Sequence, residues 1–115
     1  MTRESYVLYL EDMLDAMNRI ERYITGATFE TFVQDTMMSD AVLRNIEIIG
    51  EAAKNVPEHA KNRYGAVPWR RIIGLRNIVI HGYFGVDMEN IWEIITKNIP
   101  EVKNTIVSML EAAKR

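Results

Sequence analysis

The chain has no cysteine, which excludes disulfides and thiolate metal sites. Its two histidines, His59 and His81, are too few for a zinc site built from one chain. Long hydrophobic runs are also missing. The uncharged stretch Asn77–Val86 is the longest near the polar motif described below, and a membrane span needs about 20 apolar residues. The start, Met1-Thr2-Arg3-Glu4-Ser5, lacks a secretory apolar core, so a cytoplasmic protein is expected. No repeat, low-complexity tract or linker interrupts the sequence, and no segment shows the period-2 alternation of a strand. What remains is 48% hydrophobic and 26% charged, the composition of a folded globular chain. With 115 residues, one domain spanning 1–115 is expected, long enough to bury its own core.

The net charge of −2 argues against a generally basic surface, but its distribution is uneven. Between Lys54 and His81 there are six basic side chains against Glu58 alone, a net of +5. The rest of the chain holds eight basic and fifteen acidic residues, a net of −7. A basic block on an acidic body suits an anion-binding site. A solvated loop and helix face would produce the same count.

Helical spacing organises the rest. Val7, Leu10, Leu14, Met17 and Ile24 mark an amphipathic helix over 3–25, closed by Gly26 in the C-cap position. A short segment with Phe29, Phe32 and Val33 leads to a second helix over 36–55, with Val42, Ile46, Ile49 and Ala53 as its apolar positions and Val56 just beyond. Asn55-Val56-Pro57 ends it, because the residue before proline avoids helical geometry. A helical turn from Pro57 is broken by Gly65. Pro68 opens a third helix running to about His81, since its missing N–H would be unpaired there anyway. Asp87 caps a fourth over 88–98, with Ile91, Ile94 and Ile95 on one side. Pro100 starts or kinks a final stretch over 101–114. The predicted fold class is all-α: an up-and-down bundle of four main helices with a short extra turn.

The third helix is built unlike the others. Arg70, Gly74, Asn77 and His81 are spaced by four, three and four, which places them on one stripe. Three polar groups and a glycine make a poor core, so the stripe is expected to face a cleft or a second protomer. Gly74 costs about 1 kcal/mol of helix stability relative to alanine, and close approach of another backbone is one reason to keep it. The alternative is that Gly74 accommodates a large neighbour such as Trp92. Trp69, Ile72, Ile73 and Ile80 supply the face that docks on the bundle. Asn77 and His81, one turn apart, can touch. Arg76 and His81 are five residues apart, about 140° around an ideal helix. Either His81 lies where the helix unwinds at Gly82, or Arg76 reaches around from the flank. A second, antiparallel copy of this helix would bring two such sets into one groove.

Arg76-Asn77-X3-His81-X-Tyr83 resembles the Arg-X4-His-X-Tyr signature of HepT-like toxins, small members of the HEPN superfamily. Ile48-Ile49-Gly50-Glu51-Ala52-Ala53-Lys54 resembles that family's second-helix signature. Trp69-Arg70-Arg71-Ile72-Ile73-Gly74-Leu75 and Asp87-Met88-Glu89-Asn90-Ile91-Trp92 flank the motif in the family manner. The resemblance implies an all-α HEPN-like homodimer in which two such motifs meet and cleave RNA without a divalent metal or other cofactor. It also implies a toxin–antitoxin setting. There the partner, a small nucleotidyltransferase antitoxin, blocks the toxin by attaching AMP to the motif's tyrosine, which maps onto Tyr83; toxin and antitoxin can join in a higher assembly.

The residue types suit that chemistry on their own terms. RNA is cut by its own 2′-hydroxyl once a base removes the proton and a cation stabilises the phosphorane. An imidazole transfers protons at neutral pH, and a guanidinium presents a planar fork to phosphate oxygens. The expected roles are therefore His81 as general acid/base and Arg76 as phosphate clamp, with Asn77 orienting His81 or donating to the phosphate. Lys54, Arg63, Arg70 and Arg71, together with Lys61, are candidates for flanking RNA phosphates. Glu51 is expected to pair with one of those arginines. Gly74 and Asn77 are the candidates for the dimer interface. His59 reads as a surface residue and the seven methionines mainly as packing. The rival readings are a non-catalytic HEPN module that binds a nucleotidyltransferase, which needs no titrating His81, and a purely structural bundle.

Overall fold

A computed structural model describes residues 5–81 and 85–115, with the side chains of Ile80 and His81 outside that description. The motif's Tyr83, Gly82 and the start of the expected 3–25 helix fall outside it as well. Among the described residues the chain is all-α: α1 (Val7–Tyr23), α2 (Phe29–Gln34), α3 (Thr36–Lys54), α4 (Glu58–Arg63), α5 (Trp69–His81), α6 (Met88–Glu93) and α7 (Ile99–Lys114), with a π-helical segment, Ile94–Asn98, joining the last two.

Helix boundaries follow local chemistry. Gly26 adopts φ 77° after α1, the left-handed geometry that favours glycine at a helix end. Thr28 and Thr31 cap α2 reciprocally: the Thr28 hydroxyl accepts from the Thr31 N–H at 3.2 Å, and the Thr31 hydroxyl accepts from the Thr28 N–H at 2.8 Å. Asp35 accepts from the Met38 N–H at 3.0 Å to start α3. Asp87, as expected, caps α6 by accepting from the Asn90 N–H at 3.2 Å. Each such cap contributes about 1 kcal/mol. Trp69 donates its indole N–H to the Tyr64 carbonyl at 3.1 Å, which fixes the start of α5 against the end of α4.

The buried side chains form one contiguous cluster. α1 packs against both α3 and α7, and α3 packs in turn against α5. Being covered on two sides, α1 buries Met13, Ala16 and Ile20 in addition to Val7, Leu10, Leu14 and Met17. Val42, Ile46, Ile49 and Ala53 of α3 and Val56 beyond it are buried as their spacing predicts. Buried Asn45 is satisfied by the Arg19 Nε–H at 2.8 Å and by donating to the Ala41 carbonyl, also at 2.8 Å. Lys103 of α7 reaches Glu21 of α1, with both carboxylate oxygens at 3.0 Å.

Two local features depart from the sequence reading. The Phe29–Val33 region is a helix, and it lays Phe29 and Phe32 against Trp92 of α6, with ring centroids 6.3 and 5.3 Å apart. The predicted stretches 88–98 and 101–114 are joined by a widened π turn, with Pro100 inside the first turn of α7. Proline removes one helical donor. The Ile99 N–H reaches back five residues to the Ile94 carbonyl, and the Thr96 hydroxyl donates to the Trp92 carbonyl at 2.7 Å. The chain thus absorbs the missing donor as a π turn instead of a break.

Candidate functional site

α5 carries the candidate site, and its two sides differ. Trp69, Ile72 and Leu75 are buried, while Ile73 and Val79 pack partly against the core. Leu75 belongs to this docking face although the sequence reading left it out. Arg70 and Asn77 are exposed. A Cβ built on Gly74 would meet nothing within 4 Å among the described residues. Trp92 is therefore not what Gly74 accommodates; Trp92 is engaged with α2. Among the described residues, the stripe Arg70–Gly74–Asn77 is open.

The close backbone approach anticipated at Gly74 occurs elsewhere, at Gly50 of α3. A Cβ there would lie 3.0 Å from the Arg76 backbone nitrogen, 3.1 Å from the Ile72 carbonyl oxygen and 3.2 Å from the Arg76 Cβ. Only a glycine lets α3 and α5 come this near without a shift of backbone. The next residue, Glu51, places Oε2 2.8 Å from Nε of Arg76. The partner of Glu51 is therefore Arg76, and not Arg63, Arg70 or Arg71. Both side chains stay accessible, 40% for Arg76 and 50% for Glu51.

α5 continues through His81, its last residue, and Arg76 turns from the helix flank toward Glu51 of α3. The roles assigned to the His81 and Tyr83 side chains lie outside the described residues. Of the other candidates, Lys54, Arg63, Arg70 and Arg71 are exposed at the ends of α3 and α4 and the start of α5. Lys54 stands three residues after Glu51, on the same side of α3. Lys61 is buried, with its amine 4.0 Å from Glu58, and does not belong to an open phosphate-binding surface. His59 is exposed, its ring edge-on to Tyr6 at 5.9 Å. Among the described residues, no group of three or more His, Asp or Glu side chains is arranged to hold a metal ion.

Beside the open stripe runs a groove of about 450 Å³ between α5 and the π-helical junction. Gly74, Leu75 and Ile78 line one wall; Asn90, Ile94 and Asn98 line the other. Ile78 is 37% exposed, an apolar residue on the accessible side of a helix. Sequence reasoning missed this groove, because its second wall depends on the π turn before Pro100.

An all-helical chain with an Arg-Asn pair on an accessible helix that ends in histidine defines a class of small α-helical proteins bearing an Arg-X4-His sequence. The family model for HepT-like ribonucleases matches residues 13–109, and the chain belongs to that family. A relative in Caldanaerobacter subterraneus subsp. tengcongensis, provisionally named an RNase, is 41% identical over 106 residues, covering 92% of this chain and 95% of its own. A Thermococcus cleftensis relative, provisionally named ribonuclease HepT, is 40% identical over 101 residues, 88% of this chain and 92% of its own. A Methanocaldococcus jannaschii protein, named as a gamma-glutamylcyclotransferase and provisional RNase, is 38% identical over 109 residues, 95% of this chain but 49% of its own length. No solved structure gave a significant match.

Proposed function

We propose that this protein is the toxin of a toxin–antitoxin pair, a metal-independent endoribonuclease of the HEPN type acting as a homodimer in the cytoplasm. Membership of the HepT-like ribonuclease family carries the reading. Half-accessible Arg76 and exposed Asn77 on α5 support it.

In this reading residues 1–115 act as one HEPN-like domain. His81 removes the proton from an RNA 2′-hydroxyl, whose oxygen attacks the adjacent phosphorus and displaces the 5′-oxygen. A protonated imidazole, that of the second copy, returns a proton to the leaving oxygen. A 2′,3′-cyclic phosphate and a 5′-hydroxyl remain. Arg76 binds the non-bridging oxygens and stabilises the charge that grows on them. Asn77, one turn before His81, orients the imidazole or donates to the phosphate. Lys54, Arg63, Arg70 and Arg71 hold flanking phosphates. The second copy packs on the open stripe at Gly74 and Asn77, where its apolar residues cover Ile78 and the adjoining groove. The antitoxin, a nucleotidyltransferase, adds AMP to Tyr83. The added charge and bulk then block a cleft that must admit a phosphate backbone.

The test is cleavage of a mixed RNA pool in excess EDTA by wild-type and His81→Ala protein, after intact mass has excluded AMP on Tyr83. Cleavage by the wild type alone supports the reading. Cleavage by neither favours a non-catalytic HEPN module that binds the nucleotidyltransferase.

A further inference from the structure

Among the described residues, Glu51 is the acidic side chain paired with the proposed phosphate clamp, and the fold goes to some length to put it there. Gly50 lets the α3 backbone come so near α5 that a Cβ would touch the Arg76 backbone nitrogen at 3.0 Å. Glu51, one residue on, then reaches Arg76 Nε at 2.8 Å. The pair lies where both groups remain about half accessible, so it adds little to stability. Its geometry is more informative. A carboxylate 2.8 Å from Nε engages the guanidinium at its inner edge, and the terminal Nη1/Nη2 edge also presents two parallel N–H groups that match two phosphate oxygens. A long arginine side chain held at one edge loses less conformational freedom when its other edge binds.

We infer that Glu51 is a positioning residue: it fixes the orientation of Arg76 for the scissile phosphate without touching RNA itself. The inference rests on the ribonuclease reading above. Its charge has opposite consequences at two stages. An anion beside Arg76 weakens attraction for the ground-state phosphodiester. A guanidinium already oriented stabilises the phosphorane more than a free one does, because charge builds up on oxygens whose positions are fixed. Glu51 therefore raises kcat without tightening substrate binding.

The test compares kcat and KM for wild type, Glu51→Ala and Glu51→Gln on one short RNA, with thermal unfolding of each protein alongside. Glu51→Ala is expected to lose between about tenfold and a hundredfold in kcat, the range that follows misplacement of a catalytic group, with KM equal or lower. Glu51→Gln keeps an uncharged oxygen of the same reach that can stand beside Nε, and should recover part of the lost rate. An unchanged kcat, a rise in KM alone, or a glutamine variant as slow as the alanine one overturns the role. A wild type that leaves RNA intact overturns the ribonuclease reading, and this role with it. Cleavage undiminished by Glu51→Ala overturns the positioning role alone.

Discussion

Gly50 and Arg76 meet backbone to backbone: a Cβ on the glycine would stand 3.0 Å from the arginine's amide nitrogen. The atoms it would meet are chiefly main chain, held in place by the hydrogen bonds of α5, so they have little freedom to give way. This contact sets the spacing of the two helices that carry Glu51 and Arg76.

Gly50→Ala is accordingly expected to destabilise the fold by about 1–3 kcal/mol, the usual cost of overpacking a close contact. Urea unfolding measures it. Alanine is the better helix former by about 1 kcal/mol, so a variant as stable as wild type would mean that moving the helices apart costs no more than about that gain.

The same substitution at Gly74 should have the opposite sign. With none of the described residues within 4 Å of where its Cβ would stand, Gly74→Ala should gain up to about 1 kcal/mol of helix propensity within each protomer. If a second copy packs on this stripe, the added methyl weakens that association. Sedimentation across a dilution series, with unfolding at low protein concentration, separates the two effects. A protomer made more stable with unchanged self-association would remove Gly74 from the interface.

These two glycines show what the sequence discloses and what it withholds. The polar stripe, the caps at Asp87 and Gly26, and the apolar positions of α3 could be read from spacing, because each depends on neighbours within one or two turns. The close approach could not, since nothing local distinguishes Gly50 from Gly74; the difference lies in which helix each one faces. Glu51 was legible as a carboxylate in need of a cation, but its partner is 25 residues away and emerges only from the α3–α5 packing. α2 was missed because six residues span too few turns to show periodicity. Pro100 stands in the first turn of α7, as a proline that starts or kinks a helix should; the π turn that joins α6 to α7 has no periodic signal of its own. The Arg-X4-His spacing was visible at once, although the His81 and Tyr83 side chains lie outside the described residues.

Arg76→Lys tests whether the fork matters beyond its charge. Lysine keeps the cation but offers one donor point in place of a planar edge. Loss of one donor to a developing oxyanion costs about a hundredfold to a thousandfold in rate. Arg76→Lys is therefore expected to lose most of the cleavage rate, while unfolding shifts by no more than about 1 kcal/mol, as befits an accessible ion pair. Equal rates for lysine and arginine would reduce the clamp to a point charge.

The exposed cations should behave differently from Arg76. Lys54, Arg63, Arg70 and Arg71 sit at helix ends on an otherwise acidic chain, and they are proposed to meet phosphates and not bases. Removing any one of these charges should then lower affinity by a similar factor for every RNA sequence. It should also flatten the dependence of log affinity on log salt by about 0.7 per cation for a single strand. Fluorescence anisotropy with His81→Ala protein, which binds without cutting, reads both quantities for the four single alanine variants. A variant that changes sequence preference but leaves the salt slope untouched would place that side chain on a base. A variant that changes neither lies off the RNA path, and that part of the basic block is then a solvated helix end.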